Sequence, residues 1–372
     1  MSGHGSSRVL ERPTFLASER RLAKYVARPV LRFIEREVAS GILLLIATAA
    51  ALVWANSGHS YHDFWFAEME IHIGGWHLAM HVEEFVNDAL MALFFFVVGL
   101  EIKRELVVGE LSNPRVAALP GIAALGGMVV PALIFVALNL GGVTGSTDGW
   151  GIPMATDIAF ALGVVALLGS RVSPQIKLFL LTLAIVDDIG AIVVIAIFYT
   201  NDMNFTWLLL AAGGLVAVRL LAVARVWHVG VYVAVGAFVW YATFQSGVHA
   251  TIAGVALGLM TPARPLLNRR QAESIADTLP EDPHPEEIRD VSFELQNSVG
   301  VAQRLERMLH PYTSFVIIPI FALANAGIEI SGGAISAAAS SSVTWGVILG
   351  LVVGKPVGVV LFTFVATRFG FS

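Results

Sequence analysis

Stretches of about 20 apolar residues, almost free of charge, recur along this chain between short polar breaks. A hydrocarbon layer roughly 30 Å thick takes about that many residues to cross as a helix. Because no water satisfies a peptide group in lipid, such runs close their hydrogen bonds within each segment and are helices. The composition fits that solvent, with 56% hydrophobic and 14% charged residues and a mean hydropathy of +0.75, outside soluble usage. Runs near 39–56, 85–106, 116–138, 150–169, 176–200, 205–224, 228–244, 248–263, 311–330 and 343–366 predict ten spans. The fold class expected is an all-α polytopic membrane protein.

Basic residues orient the spans. Arg8, Arg12, Arg20, Arg21, Lys24, Arg28, Arg32 and Arg36 precede the first, Lys103, Arg104, Arg115, Arg171, Lys177, Arg225, Arg264 and Arg368 mark alternate loops, and the intervening loops carry none. Under the positive-inside rule both termini are cytoplasmic. Residues 1–38 read as a cytoplasmic arm at the membrane surface. They lack the apolar core of a signal peptide, and the run that follows is a full span with no small-residue cleavage site. Residues 39–368 form the transmembrane domain and 369–372 its C-terminal end. Within it 264–308, with "TLPEDPHPEEIRD", is a charged, proline-broken cytoplasmic loop leading helically to the ninth span. On the other side, 61–80 holds "EMEIHIGGWHL", whose alternation about Gly74-Gly75 predicts a small periplasmic β-hairpin with a type I′ turn. The absence of cysteine excludes disulfides, thiolate metal sites and cysteine nucleophiles.

Four charged positions stand where lipid should forbid them. Asp187 and Asp188 lie near the middle of "LFLLTLAIVDDIGAIVVIAIF". An acidic side chain at a helix centre costs roughly 2.5 to 3.5 kcal/mol on insertion scales, and two neighbouring carboxylates repel when both are ionised. Capping or packing explains such a pair poorly, whereas ion or proton handling explains it directly. In "GWGIPMATDIAFALG", Gly151 and Pro153 precede Thr156 and Asp157 in a stretch short for a crossing. That pattern predicts an interrupted helix whose dipole ends and free carbonyls can hold an ion, the alternative being a plain N-cap on a continuous helix. Lys355, in "VILGLVVGKPVGVVLF", lies about 18 Å from either end of its run at about 1.5 Å per residue, too deep to snorkel. Its ammonium needs an anionic partner, and Asp88, Asp157, Asp187 and Asp188 are the deep acids available.

With those residues in view, "FVNDALMALFFFVVGLEIKREL", "GIPMATDIAFALGVVALLGS", "LTLAIVDDIGAI", "SGVHATIAGV", "LHPYTSFVIIPIFALANAG" and "VVGKPVG" resemble, in order over about residues 38 to 368, the NhaA sodium/proton antiporters. The resemblance implies an antiporter fold with an interrupted helix and inverted repeats. It implies that the residue matching Asp188 binds the cation. The one matching Asp187 shares proton binding and pairs with Lys355, and Thr156 and Asp157 lie in the broken helix. It further implies a pH-sensing cluster of Glu101, Glu105, Arg304, Glu306 and His310, with His249 also linked to pH response. Read without it, Glu101, Lys103, Arg104 and Glu105 are an ordinary charged helix end. Family members continue beyond the lysine span with two further helices, one of them broken, so the second repeat is expected to be incomplete here.

The expected function is electrogenic exchange of Na+ or Li+ for H+ at the bacterial inner membrane, serving pH and sodium homeostasis. No cofactor, no nucleic-acid partner and no enzymatic role is implied, and a homodimer through 61–80 is. An intramembrane aspartyl protease would place its aspartates on two helices with a GxGD motif, which is absent. A channel gains nothing from paired protonatable acids opposed by a lysine. The remaining alternative is a truncated, non-transporting paralogue or fragment with a regulatory or assembly role.

Overall fold

The computed structural model describes residues 37–370 apart from 74–75, 141–145, 156–170, 201–202, 225, 227, 266, 268, 277–283 and 297. The order is α1 (Glu37–Ala55), α2 (Ser60–Trp65), β1 (Glu68–Ile73), β2 (Trp76–His81), α3 (Val82–Val107), α4 (Pro114–Asn139), a 3-10 segment (Asp148–Met154), α5 (Pro174–Phe198), α6 (Phe205–Val223), α7 (Val229–Gln245) and α8 (Thr251–Met260). It ends with α9 (Arg269–Ala276), α10 (Pro285–Gln296), α11 (Val301–Asn325), α12 (Gly332–Ser340) and α13 (Ser342–Arg368). Local chemistry sets the starts. Asn113 accepts from the Arg115 N–H with Pro114 at the first helical position of α4, Ser173 and Pro174 do the same for α5, and Asn204 caps α6 through the N–H groups of Thr206 and Trp207.

Among the described residues, α3, α4, α5, α6, α11 and α13 are long and apolar enough to cross a membrane, while Ala39–Ala55, α7 and α8 are shorter apolar helices of 10–17 residues. Large apolar side chains such as Leu45, Leu133, Ile197, Leu209 and Val360 are exposed on the outer surface, whereas Ala51, Ala123, Ala124, Ala242 and Ala302 are buried. This is the expected pattern where lipid replaces water: small residues let helices approach, and packing rather than hydrophobic exclusion holds them. Two expected boundaries change. The ninth span starts at Val301 rather than 311 and ends at Asn325, because the amphipathic turns 301–312 join it through Pro311 and the π turn that follows. The hairpin occupies 68–81 rather than 61–80, since 60–65 is helical. Its pairing of Ile73 with Trp76 leaves a two-residue connection, and the conformation of Gly74 and Gly75 lies outside the described residues.

The α4–α13 contact seats the candidate site. Gly346, Gly350, Gly354 and Gly358 recur every fourth residue of α13, one face of a helix, and each meets α4 or the 3-10 segment. A Cβ on Gly358 would lie 2.1 Å from the Gly126 carbonyl oxygen, one on Gly354 2.9 Å from Pro131 Cα, and one on Gly350 2.8 Å from Pro153. The two backbones therefore touch, and no larger residue fits without moving them. Where α4 ends and α13 begins, Asn139, 2% exposed, donates to the Phe135 carbonyl and accepts from the Ser342 hydroxyl at 2.8 Å.

Among the described residues, three one-turn π segments interrupt the long helices: Phe85–Leu90, Thr313–Ile317 and Gly350–Gly354. The last two have one cause. Each spans the residue four before a proline, Phe315 for Pro319 and Val352 for Pro356, where the ring would strike the carbonyl of a regular helix. In the first, the Asp88 carbonyl accepts instead from the Trp240 indole of α7 at 2.8 Å.

Candidate functional site

The π turn before Pro356 ends at Gly354, so Lys355 opens the C-terminal half of α13 directly beside the glycine face. Gly127 of α4 lies against this stretch of α13, a Cβ on it standing 2.9 Å from Val359 Cγ2 and in ordinary contact with Lys355 Cγ at 3.8 Å. On the neighbouring α5, Asp187 is 1% exposed. Lys355 Nζ donates to Asp187 Oδ2 at 2.8 Å, the lysine side chain being 14% exposed. Asp187, one of the deep acids open to this lysine, is paired with it in the structure. Lys355 Nζ also donates to the main-chain carbonyl of Met154. Asp188, the next residue, is half-buried, and about 100° further round a helix of 3.6 residues per turn.

The Met154 carbonyl stands at the end of its own segment. Asp148–Met154 is a 3-10 segment that stops at Ala155, whose φ of −65° and ψ of 146° are extended. Thr156 and Asp157, expected in the broken helix, lie outside the described residues. The segment is held at its outer end by Tyr199, the residue that ends α5. The Tyr199 hydroxyl accepts from the Gly151 N–H at 2.8 Å and donates to the Asp148 carbonyl at 2.7 Å. Sequence reasoning missed Tyr199, and a hydroxyl spent on main-chain groups some fifty positions away leaves no pattern to read.

At the opposite end of α3 lies a second set of charges. Arg104 donates to Glu306 of α11 at 2.8 Å and to Glu105 at 2.9 Å. Glu101 lies within the fields of Arg104, His310 and Glu105, and Glu306 within those of Arg104, Glu101, Glu105 and Arg307. The structure thus gathers Glu101, Glu105, Glu306 and His310 around an arginine that the sequence alone assigned to a plain solvated helix end. Arg304, two residues before Glu306 and on another face of α11, is not paired with these acids, and its buried Nε has no hydrogen-bond partner among the described residues. His249 is exposed and stands beside Asp88. Thirteen positions along α3 separate Asp88 from Glu101, roughly 20 Å.

Six membrane-length apolar helices among the described residues, one carrying an acidic pair whose Asp187 is bonded to a half-buried lysine of another, define a multi-pass ion-handling membrane protein. The family model described as Na+/H+ antiporter 1 matches residues 31–372, and the chain belongs to that family. It is 45% identical over 361 residues to the Na(+)/H(+) antiporter NhaA of Oleidesulfovibrio alaskensis, covering 92% of this chain and 80% of that one. To Na(+)/H(+) antiporter NhaA 2 of Myxococcus xanthus it is 44% identical over 362 residues, covering 94% and 76%. To the Na(+)/H(+) antiporter NhaA of Salmonella typhimurium it is 43% identical over 341 residues, covering 91% and 80%.

Proposed function

We propose that this protein is a sodium/proton antiporter that exchanges Na+ or Li+ for protons electrogenically, with Asp187 and Asp188 carrying cation and protons in turn. The ion pair between Asp187 and Lys355, placed next to Asp188, is the observation that carries this reading. Carboxylate and carbonyl oxygens suit a hard monovalent cation, and the acids that ligate it are the ones that bind protons when it leaves. Cation and protons therefore compete for one site, and apparent Na+ affinity falls as pH falls. Thr156 and Asp157 are proposed to complete the cation's surroundings from the segment after Met154. Lys355 balances the charge of the empty pair.

The charges at Glu101, Glu105, Glu306 and His310, linked across α3 and α11 by Arg104, are proposed to sense pH on the cytoplasmic side, with Arg304 and His249 as further contributors. The distribution of lysine and arginine favours both termini on the cytoplasmic face of a bacterial inner membrane, where exchange would serve pH and sodium homeostasis. The non-transporting alternative draws no support, since the family match runs over nearly the whole chain and the acidic pair and its lysine are intact.

In proteoliposomes of purified protein holding an acid interior, added Na+ or Li+ is expected to drive protons out, and choline is not. Protein that stays silent to both cations between pH 6 and 9 would remove the proposal. The paired strands β1 and β2, a two-stranded sheet with no third strand among the described residues, are proposed to join two protomers. Deletion of 68–81 should then turn the dimer seen by membrane cross-linking into monomer, and a full dimer yield after deletion places the interface elsewhere.

A further inference from the structure

We infer that Tyr199 is a positioning residue for the cation site, acting through the 3-10 segment on the carbonyl that holds Lys355. The inference rests on the exchange reading above and deepens it. Asp148–Met154 lies as a short bar against α4, with α5 and α13 also packed on it. At its inner end Met154, 5% exposed, gives its carbonyl to Lys355, and Pro153 packs against Gly350 of the same helix. At its other end the Tyr199 hydroxyl accepts from the Gly151 N–H and donates to the Asp148 carbonyl, tying the segment to α5, while Ser146 bonds only Asp148, through its N–H and its carboxylate. Trp150 adds an edge-on contact with Phe198 at 5.1 Å.

Tyr199 ends α5, the helix that carries Asp187 and Asp188. One rigid helix therefore presents Asp187 to Lys355 at its middle and, at its end, fixes the segment that presents the second acceptor to the same ammonium. The Met154 carbonyl is three residues from Gly151, about 6 Å at 2.0 Å per residue, so play at the outer end is passed to the inner one. Gly151 is part of the device. A Cβ there would stand 2.8 Å from the Tyr199 hydroxyl oxygen, while the glycine does not have a positive φ, so its lack of a side chain serves the close approach and not the backbone conformation.

Tyr199→Phe removes the hydroxyl and keeps the ring, and Gly151→Ala displaces the hydroxyl from the other side. In proteoliposomes each is expected to raise the apparent KM for Na+ about five-fold or more, the equilibrium worth of one hydrogen bond, with the maximal rate changed less than about two-fold. The double variant should be no worse than the weaker single one, because both act through one contact. A purely structural tyrosine would lower thermal stability and leave KM unchanged, which would overturn the inference.

A second readout does not depend on transport. In protein carrying ¹⁵N-lysine and ¹³C-carbonyl methionine, solid-state dipolar recoupling should detect the short contact from Lys355 Nζ to the Met154 carbonyl, assigned by its loss in Met154→Leu. The contact should be lost in Tyr199→Phe or Gly151→Ala, whichever folds. If the contact survives in both, the inference fails, whereas wild-type vesicles that show the contact and move no sodium count against the exchange reading alone.

Discussion

Asp188→Asn should bind neither Na+ nor Li+ while folding at least as well as the parent. An amide carries no charge, and removing one unit charge about 4 Å from a cation at an effective dielectric of 20 removes roughly 4 kcal/mol of attraction, on the order of a thousandfold in affinity. The same change relieves the fold. A carboxylate at a helix centre costs roughly 2.5 to 3.5 kcal/mol on insertion scales and repels its ionised neighbour, and neither cost applies to asparagine. Loss of binding at undiminished thermal stability separates a ligand from a structural acid. Titration of purified protein with both cations is the measurement, and unchanged affinity would take Asp188 out of the site.

Lys355→Ala should act on stability first. Asp187 is 1% exposed and bonded to this ammonium at 2.8 Å, and removing one partner of a buried ion pair typically costs about 3–5 kcal/mol because the other charge stays behind. The Met154 carbonyl loses the same donor. Adding Asp187→Asn to Lys355→Ala should restore much of the loss, since the charge left behind is then gone. Thermal unfolding of the single and double variants in detergent decides it. A double variant no more stable than Lys355→Ala would mean that the pair contributes through packing and not through charge.

Residues whose cost is chemical were the ones the sequence disclosed. A lysine some 18 Å from either interface and two adjacent aspartates have few ways to exist in lipid, and Lys355 does bond to one of that pair. Contacts made through the backbone were harder to read. The glycines at 346, 350, 354 and 358 display their four-residue period openly, yet that they face Gly126, Pro131 and Pro153 follows only from the crossing of α13 over α4. Arg104 looked like part of a solvated helix end because its partner Glu306 lies 202 positions away. Hydropathy also misplaced the start of α11, because the charged face of 301–312 hid a helix that runs on through Pro311. Thr156 and Asp157, prominent in the sequence, lie outside the described residues.

The central claim is a charge count. With two protons the aspartate pair is neutral, and with one monovalent cation it keeps a net negative charge, so the two loaded forms differ by one charge if Lys355 returns to the same state in each cycle. On the proposed exchange that charge would cross the membrane once per turnover, and a potential of 100 mV would contribute about 2.3 kcal/mol. Proteoliposomes with no pH gradient, a potassium diffusion potential set by valinomycin and a sodium-sensitive dye inside give the direct measurement. Sodium should move against the imposed positive charge flow of the protons, toward the positive side, at a rate that rises with the potential and reverses with its sign. Sodium flux indifferent to voltage in a preparation that exchanges Na+ for H+ would mean one proton per cation, and would contradict the two-proton account of Asp187 and Asp188.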